Sequence, residues 1–115
     1  MFAAVEKVSG ILSGHGYTPE IEETHHIHKM DAPSGTAISL GSIVENTLGE
    51  KPEITSIREG EVPGTHIVQF KSTVDKLVLS HEAYSREGFA EGAVFAATLT
   101  HGLKGVHEFK ELILK

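Results

Sequence analysis

Hydrophobic positions along the chain follow two rhythms, one helical and one alternating. Over residues 1–13, Phe2, Val5, Val8, Ile11 and Leu12 fall near one helical face, with Glu6 and Lys7 off it. Gly14-His15-Gly16 ends that helix, because glycine tolerates the left-handed turn at a helix C-terminus. No capping residue precedes Phe2, so the chain is expected to begin inside a helix, as a piece of something longer would. Residues 20–28 are rich in β-tolerant types and predict a strand running into the histidines. In an extended chain His25, Ile27 and Lys29 point to one side, and His26 and His28 to the other. Asp31-Ala32-Pro33 breaks the strand, since proline disfavours helix before it and suits the first turn of a helix after it. From Ser34 to Leu48 the apolar positions Ala37, Leu40, Gly41, Val44 and Leu48 form a helix face, which Gly49 closes.

Three β-like runs follow. The first, Glu53 to Arg58, is short and mixed. Thr65 to Thr73 alternates His66, Val68 and Phe70 against Ile67, Gln69 and Lys71. Lys76 to Tyr84 alternates Leu77, Leu79, His81 and Ala83 against Val78, Ser80, Glu82 and Tyr84. The last two, separated by Val74-Asp75, predict an antiparallel hairpin apolar on both alternating faces, and Gly60 to Gly64 is the loop that leads into it. Residues 87–103 are apolar nearly all round, with Phe89, Ala90, Ala93, Val94, Phe95, Ala96, Ala97, Leu99 and Leu103, which predicts a helix buried on two sides. Val106 to Lys115 reads as a final short amphipathic piece. The whole pattern predicts an α+β domain, residues 1–115, with helices packed on a mixed, mostly antiparallel sheet.

Composition narrows the function. Apolar content of 39% and charged content of 23% exclude a disordered chain. Without cysteine there is no disulfide framework and no cysteine-based zinc site, which fits a reducing, cytoplasmic setting. No apolar run approaches the ~18 residues that a membrane span requires. A net charge of −6 argues against nucleic acid as a partner. It also means that an anionic ligand needs a local concentration of positive charge and N–H donors.

The stretch from Glu23 to Ala37 supplies both. Ser34-Gly35-Thr36 opens a helix with unpaired N–H groups, two hydroxyls and the positive end of the helix dipole, and Gly35 has no side chain to hold a ligand off. Such a start suits a carboxylate or phosphate, although serine and threonine there also serve as plain caps. Just before it, His25-His26-Ile27-His28-Lys29 gathers groups that donate or accept protons near neutral pH. The competing readings are a polar strand end with solvated histidines, and a metal site on His26 and His28. Against metal, Lys29 repels a cation and no carboxylate stands at a clear ligand spacing, so no metal ligand is assigned. His15, His66, His81, His101 and His107 receive no role.

These residues resemble a known family. Residues 23–37 are similar to the H-H-x-x-K-x-D-A-P-S-G-T-A motif of bacterial dihydrodipicolinate reductases, also called 4-hydroxy-tetrahydrodipicolinate reductases, of the diaminopimelate route to lysine. Residues 58–66 resemble that family's R-x-G-x-x-x-G-x-H, and residues 81–93 its H-x-A-x-S-R-x-x-F-A-x-G-A. The family's enzymes begin with a Rossmann domain, and this chain has no G-x-G-x-x-G between a strand and a helix. The resemblance therefore implies the C-terminal substrate-binding and oligomerisation domain alone, inactive by itself, with NADPH or NADH bound mainly by the domain it lacks. It implies that His25 is the proton donor/acceptor and Lys29 a second proton donor facing the substrate. It further implies that His26 contacts substrate, and that Gly35 and Thr36, with Ser34 beside them, cradle a carboxylate. Arg86 and Phe89 would approach the cofactor in the whole enzyme. The implied substrate is a small cyclic dicarboxylate, and the implied assembly a cytoplasmic homotetramer in which one face of the hairpin meets helices and the other a partner. A stand-alone dicarboxylate-binding or assembly module without catalysis is the alternative.

Overall fold

Phe70 and Ile21 are the largest side chains withdrawn from solvent, and they sit on neighbouring strands of one sheet. The structure, a computed structural model, describes residues 1–106 and 108–113. It divides into two compact units, Met1–Tyr84 and Ser85–Lys115. In the first, the sheet has the order β2-β1-β3-β4. Strand β1 (Thr18–His25) runs parallel to β2 (Glu53–Arg58) and antiparallel to β3 (Gly64–Lys71), which pairs antiparallel with β4 (Lys76–Ala83). Parallel neighbours need a crossover, and α2 (Gly35–Leu48) supplies it between β1 and β2.

Helices α1 (Phe2–Leu12) and α2 cover one face of this sheet. Val5 of α1 and Ala37, Leu40, Val44 and Leu48 of α2 close over Ile21, Val68 and Phe70. The predicted α+β class and the helices on one face of a mixed sheet are what the structure contains. The predicted face of α2 is buried in full, Gly41 included. Ser34 caps its start and Gly49 its end, with Gly49 in the left-handed conformation at φ 91° and its N–H donating to the Glu45 carbonyl at 3.1 Å. Nothing lies within 4 Å of where a Gly49 Cβ would stand. Gly49→Ala is therefore expected to cost only the backbone strain, about 1 kcal/mol in urea denaturation. On α1 the buried centre is Val5 and Ser9, which turns Ile11 outward rather than into the predicted face.

Strand boundaries differ from the predicted ones in β1 and in the hairpin. The strand begins at Thr18 and ends at His25, not at residue 28. The Glu59 N–H still donates to the His25 carbonyl (2.9 Å) and the Ile27 N–H to the Gly60 carbonyl (3.1 Å). A turn then closes from the Lys29 N–H to the His26 carbonyl (3.2 Å). The predicted alternation of His26 and His28 on one strand face therefore fails. In the hairpin, Thr73 belongs to the turn: the Ser72 N–H donates to the Asp75 carbonyl at 2.9 Å, and Ser72 Oγ accepts from the N–H groups of Val74 and Asp75. The outer hairpin face pairs Thr65 with Glu82, Ile67 with Ser80 and Gln69 with Val78. It is mixed, not apolar as predicted.

The second unit contains α3 (Glu87–Leu99) and α4 (Phe109–Ile113), joined by an edge-to-face contact of Phe95 and Phe109 with ring centres 6.1 Å apart. The expectation that residues 87–103 form a helix buried on two sides is corrected in both respects. The helix stops at Leu99, where the Leu103 N–H folds back to the Thr100 carbonyl, and none of its residues is buried. Its apolar periphery meets only the short α4 among the unit's described elements, which is too little to cover it. Of the predicted terminal piece, His107, Leu114 and Lys115 lie outside the described residues. No helix among the described residues is long and apolar enough to cross a membrane.

Candidate active site

The inward row of β1 begins apolar and becomes polar. Pro19 and Ile21 are followed by Glu23 (0% exposed) and His25 (8%), still on the face that turns into the protein. Register brings partners to them: His25 stands beside Arg58 across the parallel ladder, and Glu23 beside His66 across the antiparallel one. The start of α2 reaches the same rim, where Ser34 is buried. A carboxylate buried here must be heavily hydrogen-bonded to remain charged.

It is. Arg58 Nη1 donates a short bond to Glu23 Oε1 and Nη2 a longer one to Oε2 at 3.4 Å. The Ser34 N–H donates to Oε2 at 2.5 Å, and His25 Nδ1 lies 3.2 Å from Oε1. Burial by itself pushes the Glu23 carboxyl up, but the guanidinium, the Ser34 N–H and His25 outweigh it and hold the group at about 2, from a usual 4.5. An ionised carboxylate only accepts, so the proton between the two lies on His25 Nδ1. In the neutral ring that leaves Nε2 as the nitrogen without a proton. Its position is bounded by Gly64, at φ 154°, where a Cβ would stand 3.0 Å from Nε2. A side chain at 64 would meet a strained backbone and push the ring back by a few tenths of an ångström.

Arg58 reaches further than Glu23. Its Nε donates to the Lys29 carbonyl at 3.3 Å, Nη2 to the Asp31 carbonyl at 2.5 Å and Nη1 to the Ile57 carbonyl at 2.9 Å. The half-buried Lys29 places Nζ 3.1 Å from Asp31 Oδ1, and that ammonium holds the exposed Asp31 carboxyl below its usual range. His66 packs edge-on against His25, ring centres 5.0 Å apart, with Nε2 3.2 Å from Ser34 Oγ. Burial, then the neighbouring His25, pushes His66 down from 6.5 to about 4, against the pull of Glu23, so it is neutral near pH 7. A neutral Nε2 can accept the Ser34 hydroxyl proton, while Ser34 Oγ itself accepts from the Ala37 N–H at 3.1 Å.

Gly35 and Thr36, by contrast, face outward at the start of α2. Among the described residues their N–H groups have no protein partner, and the space beside the Gly35 Cα is open for 4 Å. Of the residues singled out in the sequence, His25, Lys29, Ser34, Gly35 and Thr36 thus share one rim. Ser34 differs from its neighbours in turning its polar groups inward. His26 is half-buried, its ring centre 5.8 Å from that of His28, which lies 3.0 Å from Glu61 at the surface. Among the described residues no three potential ligands gather to hold a metal. Arg86 and Phe89 belong to the second unit, at the cap and first turn of α3.

Sequence reasoning missed Glu23, Arg58, Gly64 and His66 as parts of the site. Each had a signal: Arg58, Gly64 and His66 are named positions of the R-x-G-x-x-x-G-x-H resemblance, and alternation marked two of the four. Glu23 shares the alternation of Ile21 and His25, and His66 that of Val68 and Phe70, so both were due to face inward.

The family described as "Dihydrodipicolinate reductase, C-terminus" matches residues 1–113. A 4-hydroxy-tetrahydrodipicolinate reductase of Christiangramia forsetii is 40% identical over 125 residues, covering 97% of this chain and 52% of that protein. One from Xanthomonas euvesicatoria pv. vesicatoria is 40% identical over 111 residues, covering 96% of this chain and 45% of the relative. The chain spans about half the length of the curated relatives it matches. The fold is shared with the dipicolinate-bound dihydrodipicolinate reductase of Paenisporosarcina sp. TG-14, with a TM-score of 0.76 at 22% identity, over 96% of this chain and 50% of that one. The chain belongs to the dihydrodipicolinate reductase C-terminal family.

Proposed function

We propose that this chain binds the substrate, and supplies the proton, in a 4-hydroxy-tetrahydrodipicolinate reductase. The observation that carries this reading is His25 braced by an ionised, buried Glu23 on the rim where α2 presents the unpaired N–H groups of Gly35 and Thr36. The substrate is a cyclic unsaturated dicarboxylate. One carboxylate sits on the Gly35 and Thr36 N–H groups and the Thr36 hydroxyl, favoured by the positive end of α2. Lys29 faces the ring and offsets the substrate's charge in an otherwise acidic chain, and His26 adds a contact. Ser34, committed to Glu23 and His66, fixes where that cradle starts.

NADPH or NADH supplies the hydride when bound, held mainly by a separate nucleotide-binding domain, with Arg86 and Phe89 of this chain on its side. The ring carbon conjugated with the imine gains the hydride, and the enamine that results needs one proton. His25 gives it from Nε2, retains the Nδ1–H that Glu23 accepts, and is reprotonated from water. Glu23 stabilises the charged imidazole before transfer and keeps it oriented afterwards. General acid catalysis of this kind contributes ~10²–10⁴-fold in rate. The whole enzyme is a cytoplasmic homotetramer in this reading.

Calorimetry with pyridine-2,6-dicarboxylate tests it. The chain should bind this ligand, about tenfold more weakly or worse in Lys29→Ala and several-fold more weakly in Thr36→Ala, as expected for lost charge-assisted and neutral hydrogen bonds. No binding by the unaltered chain removes the reading, and unchanged affinity in Lys29→Ala removes Lys29 from the site.

A further inference from the structure

We infer that Arg58 is the positioning residue of this site, one guanidinium setting the geometry of both proton-handling groups, His25 and Lys29. The inference rests on the roles proposed above for those two residues. Arginine carries five N–H donors in a fixed plane, and here every one has a target. Nη1 takes Glu23 Oε1 and the Ile57 carbonyl, Nη2 takes Glu23 Oε2 and the Asp31 carbonyl, and Nε takes the Lys29 carbonyl.

Two arms extend from this plane. Through Glu23 the guanidinium fixes the ring of His25, because its two bonds and that of the Ser34 N–H fill three of the carboxylate's four lone-pair directions and leave one, on Oε1, for Nδ1–H. Through the carbonyls of Lys29 and Asp31 it fixes the loop that carries the second group, and Asp31 in turn holds Lys29 Nζ. Arg58 closes β2, beside His25 in the parallel ladder, so the sheet itself delivers it to the junction. A buried ion pair contributes little net stability compared with well-packed apolar side chains. Its value here lies in aiming two side chains from one rigid fork. Lysine cannot replace it, since three donors on one nitrogen cannot span Glu23, Lys29 and Asp31 together.

The test is made on the full chain in solution. Imidazole ¹⁵N spectra of the unaltered protein should show His25 as the Nδ1–H tautomer wherever the ring is neutral, and an Nε2–H majority overturns the inference. In Arg58→Lys, checked for an intact fold by circular dichroism, His25 should become a mixture of tautomers. Its affinity for pyridine-2,6-dicarboxylate should fall at least fivefold, whereas a residue serving only stability would leave both readings unmoved in a folded variant. An unchanged tautomer and unchanged affinity in folded Arg58→Lys also overturn it. Should the unaltered chain show the tautomer yet bind no dicarboxylate, the functional reading fails while the positioning of His25 stands, because the tautomer is read without ligand.

Discussion

Acidification from pH 7 to pH 3 is expected to remove several kcal/mol of stability from the first unit, beginning well above the usual carboxylate range. His66 is neutral in the folded protein down to about 4 but protonates near 6.5 when unfolded. Between those values the unfolded chain binds more protons, so stability rises with pH and is lost as pH falls through that window. The displacement corresponds to a loss on the order of 3 kcal/mol. Glu23 acts in the same direction lower down. Its folded value of about 2 lies below the unfolded 4.5, so its contribution is complete above 4.5 and disappears as pH falls toward 2. That adds a loss of similar order. Urea denaturation at pH 7, 5 and 3 measures both. His66→Gln, which keeps a hydrogen-bonding group beside Ser34, should flatten the curve between pH 6.5 and 4 and leave the lower part in place. A curve unchanged by that substitution would mean that His66 takes up its proton as readily inside the fold as in the unfolded chain.

The second large effect concerns the ion pair as an energetic unit. Arg58→Met is expected to cost about 3–5 kcal/mol, because Glu23 is fully buried and would lose the guanidinium that compensates its charge. Replacing both, Glu23→Met with Arg58→Met, should be milder than the arginine change alone. Recovery stays incomplete, because the Ser34 N–H and His25 Nδ1 lose their acceptor. Denaturant midpoints of the two single variants, the double variant and the parent give the interaction energy directly. A cost under about 1 kcal/mol for Arg58→Met would show that water reaches the carboxylate.

Much of the scaffold was legible from periodicity, and the inner part of the site was not. Helix α2 is the clearest success. Its face, its serine start and its glycine end are all local signals, and the sheet needs that helix as a crossover. His25, Lys29, Gly35 and Thr36 were legible because protonatable side chains and a helix start adjoin in sequence. Arg58 stood in the R-x-G-x-x-x-G-x-H resemblance, but its place was not legible, because strand pairing between distant segments is what brings it to the site. The reason for Gly64, another named position of that motif, was hidden in the same way: it meets the ring of His25, a contact across the sheet. The error over α3 ran the other way. A helix apolar on all sides shows that it is suited to burial, not what lies against it, and the described unit supplies too little cover.

The strand order has a consequence in time. The β3–β4 hairpin closes through the short Ser72–Asp75 turn, a contact between near neighbours that forms quickly. Strand β1 lies between partners far along the chain, and each pairing carries a loop-closure cost that slows folding. Glu23 meets Arg58 only after that insertion, so no early folding species holds the finished junction. The junction of Glu23, His25 and Arg58 therefore arrives last, as a property of the completed sheet.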